Sequence, residues 1–266
     1  MKNFLFILLF PLILTGQEKV VSLTPAVTEL ILYAGGKDLL CARSSVCDFP
    51  EVRHLPVAGD MGKPFAEKVL SLKPTIVISD TRHPQANWEL LKRCGIKTGF
   101  LPGKNLNDLP ENIRKLGVML NLPDAEKKSL LLAEKIAGLR KTVTADRKKS
   151  VILFGVSPLI SCGKESFISE ALKLAGAENS AAAGKNGYFI LSTEEFCRLE
   201  VQTIFIAGVP EKLVRDFFSR PLFKEIPAVK NNRIIFLDEN KWCRLAPGII
   251  TAIEVLRNTL QNLPEK

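Results

Sequence analysis

Two stretches of this chain, residues 19–120 and 148–240, are written to one plan. Each opens with a short β-rich run that ends in a proline turn: Val20-Val21-Ser22-Leu23-Thr24-Pro25, and Val151-Ile152-Leu153-Phe154-Gly155-Val156-Ser157-Pro158. Each continues into a helical stretch closed by glycine, residues 28–34 before Gly35-Gly36 and residues 170–175 before Gly176. Glycine stops a helix there because it enters the left-handed conformation without a Cβ clash. A glutamate then opens a short amphipathic helix that leads into an apolar strand. In the first half this is Glu67-Lys68-Val69-Leu70-Ser71-Leu72 and then Thr75-Ile76-Val77-Ile78. In the second it is Glu194-Glu195-Phe196-Cys197-Arg198-Leu199 and then Thr203-Ile204-Phe205-Ile206. Strand–helix alternation with short, continuously apolar strands predicts parallel sheets covered on both faces. The fold class is therefore α/β, built as two similar lobes, each a parallel sheet flanked by helices.

Between the halves, Pro123-Asp124-Ala125-Glu126 reads as a helix start, with proline in the first turn and acids at the positive end of the dipole. Leu130, Leu131, Ala133, Glu134, Ile136, Ala137, Leu139 and Arg140 keep helical spacing, and no strong breaker appears before about residue 145. Some 20 residues at 1.5 Å each make a helix about 30 Å long. Such a helix can hold two lobes at a fixed separation; a crossover helix within one large sheet fits the same periodicity. The expected organisation is a signal peptide at 1–16, an N-terminal lobe at 17–120, a connecting backbone helix at 121–147 and a C-terminal lobe at 148–266.

The signal peptide rests on Met1-Lys2-Asn3, a short positive segment, followed by an apolar run over residues 4–14 and the small residues Thr15-Gly16. Eleven apolar residues are too few to cross a bilayer. Gln17 stands where a lipoprotein would carry its acylated cysteine, so export without a lipid anchor to the periplasm is expected. Lys+Arg exceed Asp+Glu by 37 to 28, a net charge of +9 that falls to +8 without Lys2. The basic residues are spread along the chain without the aromatic clustering that stacks bases, so no nucleic-acid partner is expected. Of six cysteines, Cys94, Cys162 and Cys197 lie in apolar settings, while Cys41, Cys47 and Cys243 complete the set. No CxxC pair exists, and six thiols in an oxidising compartment permit fifteen pairings that spacing leaves open.

Catalytic signatures are sparse. Dinucleotide and phosphate-loop glycine patterns are absent, as is a GxSxG elbow. The chain has only two histidines, His54 and His83, in separate segments, and neither has a triad signature beside it. Zinc or manganese sites draw on several His or carboxylate ligands, so no metal site is expected. The chain reads as built to hold a molecule between lobes, and not as an enzyme.

The segment Ser22-Leu23-Thr24-Pro25-Ala26-Val27-Thr28-Glu29-Leu30 with Gly35-Gly36 resembles the opening of the bacterial periplasmic vitamin B12-binding proteins. So do Cys47-Asp48-Phe49-Pro50, Pro64-Phe65-Ala66-Glu67-Lys68-Val69 and Leu72-Lys73-Pro74-Thr75. Ser161-Cys162-Gly163-Lys164-Glu165-Ser166, Ser192-Thr193-Glu194 and Trp242-Cys243-Arg244-Leu245-Ala246-Pro247-Gly248 extend the resemblance over nearly the whole mature chain. It implies a helical-backbone substrate-binding protein of an ABC importer, a monomer without a cofactor of its own. The transported ligand implied is a cobalamin-type corrinoid, delivered to the permease subunits. Siderophore and haem binders share the opening and Leu-Lys-Pro motifs, and an exported α/β enzyme using the same cleft is the rival from another class.

Thr24-Pro25-Ala26 and Ser79-Asp80-Thr81 stand at the carboxyl ends of expected strands, where open α/β sheets bind ligands, so Pro25, Ala26 and Asp80 are expected ligand-binding residues; the resemblance adds Met61, Tyr188, Asn240, Trp242 and Arg244. Met61 stands where such proteins often carry Trp, and Asn240 where they can carry an acid, while Arg244 matches. Glu67 and Glu194, one per lobe at a helix start, are implied to dock into arginine pockets on the permease, with Glu195 competing for the role of Glu194.

Overall fold

The computed structural model describes residues 18–83, 85–143 and 147–262. The proposed signal peptide, Gln17 and the expected end of the connecting helix near Ala145 lie outside these residues. No described helix is long and apolar enough to cross a membrane.

The first half forms strands β1 (Val20–Ser22), β2 (Leu40–Ser44), β3 (Val57–Asp60), β4 (Lys63–Pro64), β5 (Ile76–Ser79) and β6 (Lys97–Phe100). They make one sheet ordered β4-β3-β2-β1-β5-β6, parallel except where β4 turns back on β3. Its helices are α1 (Pro25–Ala34), α2 (Ala66–Leu72), α3 (Gln85–Arg93) and α4 (Asp108–Leu120). Pro25 sets the first turn of α1, and Gly35 at φ 95° ends it, with the Gly36 amide donating back to the Ile31 carbonyl. Helix α5 (Ala125–Lys141) then crosses to the second half.

That half contains β7 (Lys148–Leu153), β8 (Gly155–Val156), β9 (Leu159–Cys162), β10 (Ala177–Asn179), β11 (Tyr188–Leu191), β12 (Thr203–Ala207) and β13 (Ile234–Leu237). Its helices are α6 (Phe167–Ala175), α7 (Thr193–Arg198), α8 (Glu211–Phe218), α9 (Pro227–Lys230), α10 (Glu239–Trp242) and α11 (Gly248–Gln261). The parallel sheet runs β10-β7-β12-β13, the same order as β2-β1-β5-β6 in the first half. The duplication seen in sequence is thus a duplication of topology, and the α/β reading holds. One correction applies: the second half also carries a three-stranded antiparallel sheet, β11-β9-β8, where only parallel pairing was expected. Residues 151–156, expected as one strand, break at Phe154, which lies between β7 and β8.

The connecting helix is also shorter than expected, 17 residues and about 25 Å long. Its Leu132, Ile136 and Leu139 join Ile113 and Leu116 of α4, Ile168 and Leu172 of α6, and Ile249, Ile253 and Leu256 of α11 in one hydrophobic core. That core passes from one lobe to the other without a polar gap, so apolar burial holds the halves together.

Candidate functional site

A cavity of about 210 Å³ opens where the carboxyl ends of the strands meet between the lobes. The first lobe lines it with Thr24, Pro25 and Ala26 after β1, Val46 after β2, Met61 in the β3–β4 turn and Asp80 after β5. The second lobe contributes Glu239, Asn240, Cys243 and Arg244, on or just after α10. Open α/β sheets place ligands at such strand ends, because the loops there are free of the sheet's hydrogen bonding. Six of the eight expected ligand residues meet here: Pro25, Ala26, Met61, Asp80, Asn240 and Arg244.

Each is held for a local reason. Pro25 and Ala26 are buried in the first turn of α1. Met61 adopts φ +36° and Gly62 φ +79°, the two positive values of a tight hairpin turn. Glycine takes that conformation freely, whereas a methionine there is strained. The strain is held by the surroundings: the Gly62 amide donates to the Leu23 carbonyl, and the buried Trp88 indole donates to the Gly62 carbonyl at 2.9 Å. The Met61 side chain is left 54% exposed at the cavity rim.

Across the cavity, residues 239 and 243, and 240 and 244, are spaced four apart along one helical turn, so each pair shares a face. Arg244 Nη2 donates to Asn240 Oδ1 at 2.5 Å, and its guanidinium lies 5.5 Å from the Phe49 ring and 3.8 Å from Asp48 Oδ1. Its side chain is only 15% exposed. Arg244 is therefore fixed by residues of both lobes before any ligand arrives. Behind it, Glu29 of α1 accepts from the Gly248 amide at 2.7 Å, tying the start of α11 to the first lobe. Burial pushes the Glu29 carboxyl above its ordinary value, against the Gly248 hydrogen bond and the charges of Arg244 and Lys241.

Tyr188 and Trp242 do not line this cavity. Trp242 is 3% exposed and packs into the core, flanking a separate groove between β13 and α11. It sits on the last turn of α10, where a ring pointing inward buries more apolar surface than one left in the cleft. This corrects its assignment as a cleft residue. Tyr188 stands on β11, 62% exposed, with its ring edge-on to Phe154 at 5.4 Å. Phe154 lines a neighbouring cavity of about 450 Å³ with Gly208, Phe217 and Arg220. The two cavities adjoin where Gly208, at φ +71°, passes Glu239; a Cβ there would lie 2.8 Å from Glu239 Oε2. Desolvation within the cleft pushes the Tyr188 phenol up to about 12, the Cys162 and Cys243 thiols adding to the effect, so it stays protonated at neutral pH.

Sequence reasoning missed Glu239 and Cys243 as lining residues; Thr24, at the end of the first strand, and Val46, where the resembling proteins can carry Tyr, were legible as cleft positions. Their adjacency to Asn240 and Arg244 in the sequence was the available signal for Glu239 and Cys243. All six cysteines are free; Cys47 and Cys162 are buried, and Cys94 is exposed despite its apolar neighbours in sequence. Cys243 is pushed up to about 11, chiefly by desolvation and by the nearby Glu239 carboxylate. His54 and His83 are both exposed.

Away from the cleft, Glu67 lies exposed in the first turn of α2 and Glu194 in the first turn of α7. Ser192 and Glu195 form a reciprocal capping box: the Glu195 amide donates to Ser192 Oγ at 3.1 Å and the Ser192 amide to Glu195 Oε2 at 3.0 Å. Lys185 also pairs with Glu195 at 3.0 Å. Those bonds hold the Glu195 carboxyl well down, at about 2. Among the described residues Glu194 pairs with Arg198, and both side chains are 75% exposed.

A family profile described as periplasmic binding protein matches residues 20–241. The vitamin B12-binding protein of Pectobacterium carotovorum is 28% identical over 254 residues, spanning 92% of this chain and 89% of that protein. Among solved structures, the periplasmic heme-binding protein HutB of Vibrio cholerae has a TM-score of 0.82 at 23% identity, over 92% of this chain and 99% of that one. The periplasmic vitamin B12-binding protein BtuF of Vibrio cholerae has a TM-score of 0.79 at 24% identity, over 92% of this chain and 96% of that one. At these identities the structures establish the fold.

Proposed function

The chain belongs to the periplasmic binding protein family, and from that premise we propose that it captures a cobalamin-type corrinoid between its lobes and delivers it to the permease of an ABC importer. The observation that carries this reading is the cavity lined from both lobes. It brings together the polar side chains of Asp80, Asn240 and Arg244 and the exposed apolar residues Val46 and Met61 of the first lobe. Across the cleft the second lobe exposes Tyr188. A large ring system with a polar periphery would span this cavity and the adjoining one of about 450 Å³, its flat apolar faces burying against the rim while edge groups hydrogen-bond at fixed points. The vitamin B12-binding relative at 28% identity over nearly the full chain supports the same choice. In this reading the protein binds without transforming, acts as a monomer, and is exported by residues 1–16.

Titration of the purified mature chain with cyanocobalamin, haemin and a ferric hydroxamate siderophore, followed by calorimetry and visible absorption, tests the ligand. Saturable one-to-one binding of cyanocobalamin, tighter than that of the two iron ligands, is the expected result. Preference for haemin or the siderophore would replace the corrinoid while leaving the transport reading in place.

Delivery is proposed to use Glu67 and Glu194 as one acidic contact per lobe, read by arginines on the permease. The capping box supports Glu194 over Glu195, because Glu195 is already committed to its own helix. The double substitution Glu67→Ala with Glu194→Ala should leave ligand affinity unchanged and abolish most uptake in reconstituted importer. Loss of ligand affinity instead would return both acids to a structural or cleft role.

A further inference from the structure

We propose that Asp80 and Thr24 form a selectivity site that accepts a primary carboxamide on the ligand's edge and rejects a carboxylate. The inference rests on reading the interlobe cavity as a corrinoid site and goes further by naming what the cleft demands of the ligand's periphery.

Two polar atoms without hydrogen-bond partners meet in this cavity. Thr24 is 1% exposed, lines the cavity, and has no partner for its Oγ1. Its position makes this unusual. Thr24 is the N-cap of α1, where a threonine hydroxyl ordinarily accepts from an amide of the first turn, yet it forms no such bond. Asp80 lines the same cavity, and its Oδ1 is likewise buried and unpartnered. Desolvation pushes the Asp80 carboxyl above its ordinary value, against the opposing pull of the Thr24 hydroxyl and of the Asp80 and Thr81 amides.

Among the described residues, the two nearby arginines make their contacts away from Asp80, although Arg82 Nε is itself buried without a partner. Arg244 is held by Asn240, Asp48 and the Phe49 ring. Arg82, two residues beyond Asp80, stacks over Phe100 at 4.4 Å and Trp88 at 5.7 Å. Buried polar atoms are nearly always satisfied in folded proteins, so two unpaired atoms facing one open cavity are places where water or a ligand supplies the partner.

The two groups have complementary needs. An ionised carboxylate only accepts, whereas a threonine hydroxyl can donate. A primary carboxamide answers both: its N–H₂ donates to Asp80 Oδ1 and its carbonyl accepts from the Thr24 hydroxyl. A carboxylate offers acceptors alone and would bring a second negative charge against Asp80 in a desolvated site. Corrins carry carboxamides around their edge and porphyrins carry propionates, so the same pair sorts the two classes of macrocycle.

The test uses the full mature chain with cyanocobalamin and its monocarboxylic acid derivatives, in which single side-chain amides are hydrolysed, and with haemin. For the wild type, at least one monoacid should bind about ten- to a hundredfold more weakly than cyanocobalamin. Asp80→Asn retains an acceptor and removes the charge, so that ratio should fall towards unity. Thr24→Val should weaken cyanocobalamin while leaving haemin unaffected. Thermal melts of both variants identify any failure to fold, and Asp80→Glu, which keeps the charge, serves as the second probe and should keep the preference for amide over acid. Wild-type binding of cyanocobalamin with an acid-to-amide ratio that Asp80→Asn does not change would overturn the proposal and leave the corrinoid reading standing. Haemin bound more tightly than cyanocobalamin would overturn both.

Discussion

At the residue scale, Arg244 and Trp242 lie two positions apart and have opposite environments. Arg244 lines the cleft, fixed over Phe49 and against Asn240, while Trp242 is buried in the core beneath α11. Arg244→Ala should weaken corrinoid binding about ten- to a hundredfold, as expected for losing a pre-positioned charged donor. Trp242→Phe should leave affinity unchanged and lower stability by about 1–3 kcal/mol through lost core volume. Calorimetry and thermal melts on the two variants separate these roles, and reversed effects would place the ligand on the other side of α10. Glu29 offers a test by pH. Its folded pKa is raised above 4.5, so the folded state holds the proton more tightly than the unfolded chain. The associated stability is present below 4.5 and is lost as pH rises through the raised folded value. Glu29→Gln keeps an acceptor for the Gly248 amide and removes the buried charge. The variant should match the wild type in acid and exceed its melting temperature at neutral pH. A less stable variant at neutral pH would mean that attraction to Arg244 and Lys241 outweighs desolvation.

At the element scale, helix starts and stops were readable because they are local chemistry. The glycine caps at Gly35 and Gly176 and the acids in the first turns of α2 and α7 stand where their residue types require, while α1 starts at Pro25, three residues before the expected Thr28. The end of α5 was not readable. Arg257, from the last helix, donates to the Leu139 carbonyl and to Thr142 Oγ1, so a residue more than a hundred positions away satisfies the last turn. The β8–β9–β11 sheet was hidden for a related reason: strands of two to four residues carry too few side chains to show alternation. Within the site, Asp80 and the α10 residues were readable as strand-end and motif positions, but the inward turn of Trp242 depends on tertiary packing. The α7 capping box allows a clean separation of stability from docking. Ser192→Ala should cost about 0.5–2 kcal/mol, the usual loss of an N-cap acceptor, while Glu194→Ala should leave the melting temperature unchanged. The Glu195 contribution should fade in acid, since its depressed pKa gives stability that is present above 4.5 and lost as pH falls towards about 2. Thermal melts of both variants at neutral pH check the assignment; an unstable Glu194→Ala chain would show that this acid, too, is part of the cap.

At the scale of the whole molecule, the question is how far the lobes can move. The described part of the connection is the packed helix α5. Helix α5 carries apolar side chains into a core shared by α1, α4, α6 and α11, so bending it would expose surface from both lobes at once. Polar ties reinforce the apolar ones on either side of that core. Glu170 of α6 accepts from the Leu106 amide at 2.9 Å and from Arg140 at 2.6 Å, and Arg140 also reaches Asn107 at 2.8 Å. Glu29 holds Gly248 from the opposite side. Gly103 packs closely on Leu245, where an added Cβ would lie 2.1 Å from its Cδ2. Hinged domain closure needs a few loop residues that absorb large backbone changes, and here the crossing is a helix packed along its length. Ligand capture should therefore proceed by small adjustments of rim side chains such as Met61 and Tyr188, with the lobes nearly fixed. Small-angle scattering of the mature chain with and without saturating cyanocobalamin should give superimposable profiles and a radius of gyration unchanged within error. A clear contraction on binding would show that the shared core yields, and that the lobes close on their ligand as hinged domains do.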